Sequence, residues 1–354
     1  MIDKSVNENS SRDEQNIRTV AVYSGAHPAH QKMLAGCCTD SIKMLGEWST
    51  DKHASGKKKL LAYASTAWQL RSSTADVIII EGTTPSIIMA PLIKFLNCRP
   101  ISIVALCAED GIYRAFVADR GFRAIFTRLG FGFISGIIAI GDIITKLAKK
   151  HLRPLPVETR YPEVSEDRLA SLTPLGPSLD SHNILLIGGR DAHYKGVDVA
   201  IACLDILRPT FPDARLTVLG FPDLEESPGL NSPGPVDDIG PYLSSSSILI
   251  HPGRGEAFGI VAVEAMLAGV IPFVSEWTGA LSIAQEVEPK LVVPLKADEF
   301  AERIAALWDA PSEQRQSLSE KCKRVARDFT IKTAAQPSLA PFIEHIAHIN
   351  KSRG

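Results

Sequence analysis

Residues 255–269, GEAFGIVAVEAMLAG, decide how the rest of the chain is interpreted. They come shortly after the apolar run Ile248-Leu249-Ile250, which is typical of a buried strand. Glu256 lies in a glycine-bounded turn, and Glu264 lies eight positions later within a predicted helix. Because the first glutamate precedes the helix, the two carboxylates can address different parts of one elongated ligand. The pattern predicts a strand, a loop and a helix that share one binding site.

The start of this predicted helix suits an anion. Unpaired amide groups and a partial positive charge at a helix N-terminus favour phosphate. The amides concerned belong to Phe258, Gly259 and Ile260. A buried amphipathic helix with Glu256 near its first turn would show the same pattern, so the stretch by itself leaves both interpretations open.

Length and composition indicate a two-domain globular protein. The chain has 354 residues, of which 45% are hydrophobic and 22% are charged. Its six cysteines are scattered without a Cys-x-x-Cys pair, which argues against a zinc site or a disulfide framework and fits a reducing cytosol. Residues 1–18 are polar and charged, so we expect a disordered lead-in rather than a secretory signal. No apolar run reaches the roughly 20 residues that span a bilayer.

Predicted strands and helices alternate along the chain, which indicates right-handed crossovers and parallel sheets. The first helix is expected to reach Trp48 with no strand behind it, and residues 221–235 are expected to form a Pro/Gly-rich loop. The strands are predicted at 19–23, 76–81, 100–106, 137–140, 183–187, 215–219, 247–250, 270–274 and 291–293.

These elements predict an α/β protein with two Rossmann-like domains. The N-terminal domain is expected at 19–163 and the C-terminal domain at 183–330, joined by a proline-rich linker at 164–182. A last helical segment, 331–354, is expected to cross back to the N-terminal domain. The two halves differ in charge: residues 1–163 carry a net +6 and residues 164–354 a net −8. This asymmetry suggests either separate partners or attraction between the halves.

Two further loops follow predicted strands of the C-terminal domain, at the sheet edge where ligands of open α/β sheets bind. Residues 188–196, GGRDAHYKG, offer Arg190 and Lys195 beside flexible glycines, a good match to a diphosphate. Residues 276–280, EWTGA, open another helix. A solvated surface loop and a plain turn are the respective alternatives.

The order of these motifs resembles that of the retaining GT-B glycosyltransferases of family 4. The matching segments are GGR…KGVD, LTVLG and IHP…EAFGIVAVEAMLAGVIP, and they cover about residues 183–310. The N-terminal half is similar in architecture only. The resemblance implies two Rossmann-like domains whose parallel sheets face each other across a cleft.

The resemblance also implies a reaction. A sugar would pass, with retention of configuration and without a metal or other cofactor, from a UDP- or GDP-sugar to a hydroxyl of a glycan or lipid-linked acceptor. Arg190 and Lys195 would hold the donor diphosphate, Glu256 would face sugar hydroxyls, and Glu264 would face the ribose. The amides of Phe258, Gly259 and Ile260 would support the phosphate and the sugar. Glu256, Arg190 and Lys195 are thus the expected catalytic residues.

The N-terminal half departs from the family pattern. The loop that begins at Gly25 lacks the usual second glycine, and Glu109-Asp110-Gly111 stands where many members carry a histidine. Gly25, His27 and Asp110 are the candidates for the acceptor side, although a solvated loop explains them as well. These departures leave two alternatives open, namely a GT-B sugar epimerase and a nucleotide-sugar-binding protein without turnover.

A basic stretch from Arg114 to Arg160 has nine Lys or Arg residues against three Asp or Glu, with five phenylalanines interleaved. Cations with aromatics suit an anionic membrane surface, which predicts a cytoplasmic protein that associates peripherally with the inner face of the membrane. A core helix with a solvated basic face is the alternative. Nucleic acid is not expected as a partner, because no recognition motif accompanies the charge. The phenylalanines are Phe116, Phe122, Phe126, Phe131 and Phe133.

Overall fold

The computed structural model describes residues 17–23, 28–43, 56–81, 86–97, 99–189, 191–221, 224–225 and 227–351. These residues form two six-stranded sheets in which all paired strands run parallel. The predicted α/β class with two parallel sheets is therefore confirmed.

The N-terminal sheet has the strand order β2-β1-β3-β4-β5-β6. Its central strands are apolar on both faces because helices cover both sides of the sheet. The strands are β1 Thr19–Tyr23, β2 Asp40–Lys43, β3 Val77–Glu81, β4 Ser102–Cys107, β5 Gly136–Ile140 and β6 Val157–Arg160.

Helices α2, α3, α5 and α6 pack on one face of this sheet, whereas α1 and the C-terminal helix pack on the other. Tyr113 ends α4 and leads directly into a π-helical turn, Arg114–Ala118. The helices are α1 Pro28–Leu34, α2 Gly56–Leu70, α3 Met89–Leu96, α4 Gly111–Tyr113, α5 Phe122–Phe131 and α6 Asp142–His151.

Strand β2 corrects the prediction of one helix reaching Trp48. The helix ends at Leu34, and Thr39 then exchanges two hydrogen bonds with Thr19: its N–H donates to Thr19 O at 2.8 Å, and its Oγ1 accepts from Thr19 N at 3.1 Å. These bonds align residues 40–43 with β1. Four residues at a sheet edge are too few for a periodic signal, which explains the error.

The C-terminal sheet has the order β12-β11-β10-β7-β8-β9. If β7 is taken as strand 1 and the sheet is viewed from β9, the order becomes 3-2-1-4-5-6, which is the order of dinucleotide-binding folds. The direction in which strands are added changes between β7 and β10. The strands are β7 Asn183–Ile187, β8 Arg215–Leu219, β9 Leu230–Gly234, β10 Ile248–His251, β11 Ile271–Ser275 and β12 Val292–Val293.

The prediction that 221–235 is a loop is wrong for β9. This strand holds Pro233 and pairs with β8 through a register shift. Proline cannot donate to a ladder and is confined to edge strands and irregular positions, and β9 lies at the edge of its sheet. The proline that suggested a loop therefore marks an edge strand.

Helix α7, Glu166–Leu172, lies within the predicted linker, where Ser165 caps it by accepting from Arg168 N. The other helices of the C-terminal half are α8 Val197–Leu207, α9 Gly240–Ser244, α10 Ile260–Leu267, α11 Leu281–Val287, α12 Ala297–Trp308, α13 Ser312–Ala334 and α14 Ala340–Lys351.

The chain crosses between the domains twice, after β6 and after α13. Helix α14 packs against the N-terminal sheet, where Ser102 Oγ donates to Ile346 O at 3.2 Å. The two crossings are tied together by one side chain. Gln336 Oε1 accepts from Tyr161 N, and Gln336 Nε2 donates to Tyr161 O, each at 2.9 Å.

Within the described ranges, no helix is long and apolar enough to cross a membrane.

Candidate functional site

The strand order of the C-terminal sheet places two of the predicted loops side by side. β7 and β10 are neighbours, and the order of strands reverses between them. Ligands of open α/β sheets bind at such a switch point, outside the carboxyl ends of the strands. Residues 188–196 follow β7 and residues 252–259 follow β10. The fold therefore assembles a site from segments that are about sixty residues apart in sequence.

Lys195 and Glu256 meet at this switch point. Lys195 Nζ lies 2.5 Å from Glu256 Oε2, and both side chains are largely buried. The loops approach closely because residue 196 is glycine: its φ is 72°, and a Cβ there would lie 2.0 Å from the carbonyl oxygen of Pro252. The pair places a cation for phosphate and an acceptor for hydroxyls in one small volume.

The third predicted loop supports the second one. Gly279 N–H donates to Glu256 O at 3.0 Å, and Ala280 N–H donates to Phe258 O at 2.6 Å. A Cβ at Gly279 would lie 1.9 Å from the carbonyl oxygen of Ala257. The loop at 276–280 thus holds the backbone around Glu256 in place.

Helix α10 begins beside the Lys195–Glu256 pair. Gly259 precedes it with φ 82° and ψ 58°, a left-handed conformation that favours glycine. No described group accepts a hydrogen bond from the amides of Phe258, Gly259 or Ile260. Such orphan donors are expected at a helix start and favour an anionic ligand.

His251 closes β10 directly beneath this helix start. Its side chain is fully buried, and neither ring nitrogen has a hydrogen-bond partner in the part of the chain that the structure describes. A Cβ at Gly259 would lie 2.8 Å from His251 Nε2, so only glycine fits above the ring. Burial lowers the pKa of His251 to about 4, which keeps the imidazole neutral near pH 7.

Glu264 lies in α10 and is mostly buried. Its Oε1 accepts from Arg168 Nε at 2.8 Å, so the linker helix α7 contributes directly to the site. This contact engages one of the two carboxylate oxygens of Glu264.

The N-terminal domain reaches across the cleft through Tyr113. Its ring lies against Gly255, where φ is 76° and a Cβ would lie 2.2 Å from Tyr113 Cγ. It also packs against Trp277, with 5.2 Å between the ring centroids. Tyr113 precedes the π-helical turn, a local irregularity that is frequent at functional sites. Burial raises the pKa of its hydroxyl, so Tyr113 is neutral at physiological pH.

Asp110 faces the same cleft. Arg114 Nη1 lies 3.1 Å from its Oδ2. Burial nevertheless raises the pKa of Asp110, and the negative charges of Glu256 and Asp191 act in the same direction. Since Glu256 belongs to the other domain, Asp110 lies within electrostatic reach of the C-terminal site.

Three of the site residues predicted from the sequence lie outside the described residues, namely Arg190, Gly25 and His27. At the switch point of the N-terminal sheet, between β1 and β3, the structure instead brings His30 Nδ1 within 2.6 Å of Glu81 Oε1.

Sequence reasoning missed several residues around the site. Tyr194 Oη donates to Gly255 O at 2.7 Å, and burial followed by the charge of Glu256 raises its pKa. His251 carried a signal, since a polar residue closes an otherwise apolar strand. Tyr113 and Arg168 carried none, because each reaches the site from a distant segment.

Comparison with known proteins identifies relatives that match mainly the C-terminal half of the chain. Residues 177–325 match the model of the family "Glycosyl transferases group 1". Phosphatidyl-myo-inositol mannosyltransferase of Mycobacterium tuberculosis is 30% identical over 188 residues, covering 50% of this chain and 49% of that protein. The protein of the same name from Mycolicibacterium smegmatis is 27% identical over 260 residues and 67% of each chain. The chain spans about half the length of the first of these relatives.

Solved structures show the same fold at low sequence identity. Sucrose-phosphate synthase from Thermosynechococcus elongatus aligns with a TM-score of 0.64 and 15% identity over 95% of this chain and 98% of that one. WaaG, a glycosyltransferase involved in lipopolysaccharide biosynthesis, aligns with a TM-score of 0.62 and 16% identity over 94% and 99%. The two sheets and their order are those of the GT-B fold.

Proposed function

We propose that the protein is a retaining, metal-independent glycosyltransferase, which moves a sugar from a nucleoside diphosphate donor to a hydroxyl of a glycan or glycolipid. The observation that carries this proposal is the Lys195–Glu256 pair, held at 2.5 Å at the switch point of the C-terminal sheet. It lies within the segment that matches a glycosyltransferase family model.

The chemistry needs groups that stabilise a leaving diphosphate. When the bond between the sugar carbon C1 and the phosphate oxygen breaks, positive charge develops on the sugar and negative charge on the leaving group. Lys195, together with Arg190 and the start of α10, would stabilise that leaving charge without a metal. The acceptor oxygen would bond to C1 on the face that the phosphate leaves, and its proton would pass to a phosphate oxygen.

Glu256 would bind hydroxyls of the donor sugar. In the absence of donor it is oriented by Lys195 and by the backbone bond from Gly279. On binding, the ammonium would turn to the phosphate and the carboxylate to the sugar, so the ion pair would be exchanged for two ligand contacts. Glu264 would take the ribose through the oxygen that Arg168 leaves free.

The acceptor would enter from the N-terminal domain. Asp110 lies on that wall of the cleft, and Gly25 and His27 stay proposed for the same side. Two relatives are named phosphatidyl-myo-inositol mannosyltransferases, which favours a lipid-linked acceptor and a place at the inner face of the membrane. UDP- and GDP-sugars are the donors to be tested.

Release of UDP or GDP from a panel of sugar donors, with and without lipid-linked acceptors, tests the proposal. We expect acceptor-dependent release with one donor and an anomeric configuration in the product that matches the donor. Replacing Glu256 by Ala should reduce transfer at least about a thousandfold, because Glu256 contacts the reacting sugar.

Glu276→Ala is the matched control, since Glu276 is an exposed carboxylate in the neighbouring loop. It should retain transfer within about twofold. Full activity of Glu256→Ala would refute the proposed site. Donor binding in calorimetry without release under every acceptor would favour a binding protein, and conversion of the donor sugar without transfer would favour an epimerase.

A further inference from the structure

The outer surface of the N-terminal helix layer exposes large apolar side chains. Among the described residues, eleven large hydrophobic side chains are exposed, and nine of them belong to the N-terminal domain. Phe95 and Phe122 are the most exposed, at 86% and 80%. We call the following six residues the apolar face: Trp68 on α2, Phe95 on α3, and Phe122, Ile125, Phe126 and Leu129 on α5.

Helix α5 is oriented in the reverse of the usual way. Its exposed residues 122, 125, 126 and 129 follow helical spacing along one side. Its packed side carries Ala124, Thr127 and Gly130, followed by Phe131 at the end of the helix. A Cβ at Gly130 would lie 2.4 Å from the carbonyl oxygen of Ile87, so the helix lies close to the domain there and turns four large apolar side chains outward. Folding of the domain does not bury this stripe.

The apolar face extends beyond α5. Helix α3 packs against both α2 and α5, so the three helices form one layer over the sheet. Trp68 is 55% exposed on α2, with the guanidinium of Arg71 lying 3.9 Å from its ring centroid. Aromatic rings combined with stacked cations are suited to the boundary between water and lipid headgroups.

The helical segments that bear the apolar face contain basic residues and no acidic ones. Residues 56–75, 86–100 and 120–141, which contain α2, α3 and α5, hold four, two and three Lys or Arg residues and no Asp or Glu. A solvated helix surface normally mixes both signs. Helical segments that carry basic residues without acidic ones, and that expose aromatic side chains, therefore indicate a partner that is both apolar and anionic.

We propose that the apolar face docks on a bilayer surface rich in anionic lipid, inserting Phe95, Phe122 and Phe126 at the headgroup boundary. Exposed aromatic and aliphatic side chains suit the headgroup boundary of a bilayer, and the basic residues of the same segments suit its negative potential. The inference rests on the proposed function only in that a lipid-linked acceptor gives the docking a purpose. The structure also reduces the number of phenylalanines in the basic stretch that can contact a membrane. Phe131 is buried, and Phe116 packs against Phe131 with 6.0 Å between the ring centroids.

Flotation of the full chain with phosphatidylcholine vesicles, with and without about one third phosphatidylglycerol, tests this. We expect binding that rises at least tenfold with the anionic lipid and weakens as salt is raised. The double variant Phe122→Ser/Phe126→Ser should lose at least tenfold in partitioning. Ile206→Ser/Ile331→Ser is the matched control, since it removes two exposed apolar side chains from the C-terminal domain. It should bind as the unmodified protein does.

Equal partitioning of the two double variants, or no binding to either vesicle, would overturn the proposal. Self-association in sedimentation velocity that disappears with Phe122→Ser/Phe126→Ser would also overturn it, by making this face a protein interface. Donor cleavage in solution is measured in parallel. For the unmodified protein, donor cleavage without docking contradicts only the membrane inference, whereas docking without cleavage of any donor contradicts only the proposed function.

Discussion

The two domains share a six-stranded parallel sheet but use different parts of it. The C-terminal domain concentrates polar groups at its strand ends. The backbone beside Lys195 and Glu256 makes contacts so close, at Gly196 and Gly279, that only glycine fits at these two positions. The N-terminal domain instead turns large apolar side chains outward from helices whose sequences contain basic residues. The distinctive feature of the C-terminal domain is therefore the carboxyl edge of its sheet, and that of the N-terminal domain is the outer surface of its helices.

This difference predicts how well each region tolerates substitutions. Loops at a switch point must hold a geometry, so their backbones are fixed by many short contacts. A surface that docks by burying apolar area depends on the total area of its exposed apolar side chains, to which several residues contribute. We therefore expect single changes to be severe in the first region and mild in the second.

The largest expected effect in stability comes from Gly279→Ala. Its Cβ would lie 1.9 Å from the backbone oxygen of Ala257, so the free energy of unfolding should fall by about 3 kcal/mol, since backbone gives way at a high cost. Gly36→Ala in the N-terminal domain is the control, because the nearest atom lies 3.8 Å away, and it should stay within about 0.5 kcal/mol. Urea unfolding measures both. Equal stabilities would remove the claim that the C-terminal loops are the more constrained.

A smaller effect is expected from His251 and depends on pH. Its pKa is lowered to about 4 in the folded state and should be near 6.5 when unfolded, so the unfolded chain binds more protons between these values. Stability should therefore fall as the pH drops below 6.5, by up to about 1.4 kcal/mol per pH unit from this group.

His251→Leu should remove that part of the slope. The difference between the variant and the unmodified protein, in denaturant titrations at pH 7 and pH 5, isolates it from other groups. Parallel pH profiles for the variant and the unmodified protein would contradict a neutral buried imidazole.

The smallest effect is expected from Arg168→Gln, which tests whether the linker helix takes part in the C-terminal site. Removing the partner of Glu264 should raise the KM for the donor about three- to tenfold, since an ion-pair hydrogen bond is lost whose net worth is reduced to about 1 kcal/mol by the partial exposure of Arg168. The value of kcat should change less, because Arg168 acts by positioning another side chain. Arg324→Gln, an exposed arginine on α13, serves as the control. An unchanged KM would assign Arg168 a purely structural part.

Much of the fold was predictable because buried parallel strands are continuous apolar runs. Strands such as Val77–Glu81 and Asn183–Ile187 carry that signal without ambiguity. The edge strands β2 and β9 were missed, since four or five residues with one side in water, or with a proline, show no periodicity. An edge strand forms because of the strand with which it pairs, and the local sequence of the edge strand does not show that partner.

The site divides in the same way. Lys195 and Glu256 stood out because glycines and charges directly follow predicted strands. Tyr113, Arg168 and the apolar face come from helices whose role depends on tertiary packing. Even the phenylalanines of the basic stretch could not be sorted by sequence, because Phe122 and Phe131 differ only in the side of α5 on which they lie.

The double contact between Gln336 and Tyr161 has a mechanical consequence. A side-chain amide that pairs with both backbone groups of one residue behaves like a short rung of a β-ladder, and here it joins the two places where the chain passes between domains. Because the two crossings are joined at one point, we expect any opening of the cleft to be a rotation about that point rather than an even separation of the domains. Gln336→Ala should weaken the link between the two crossings.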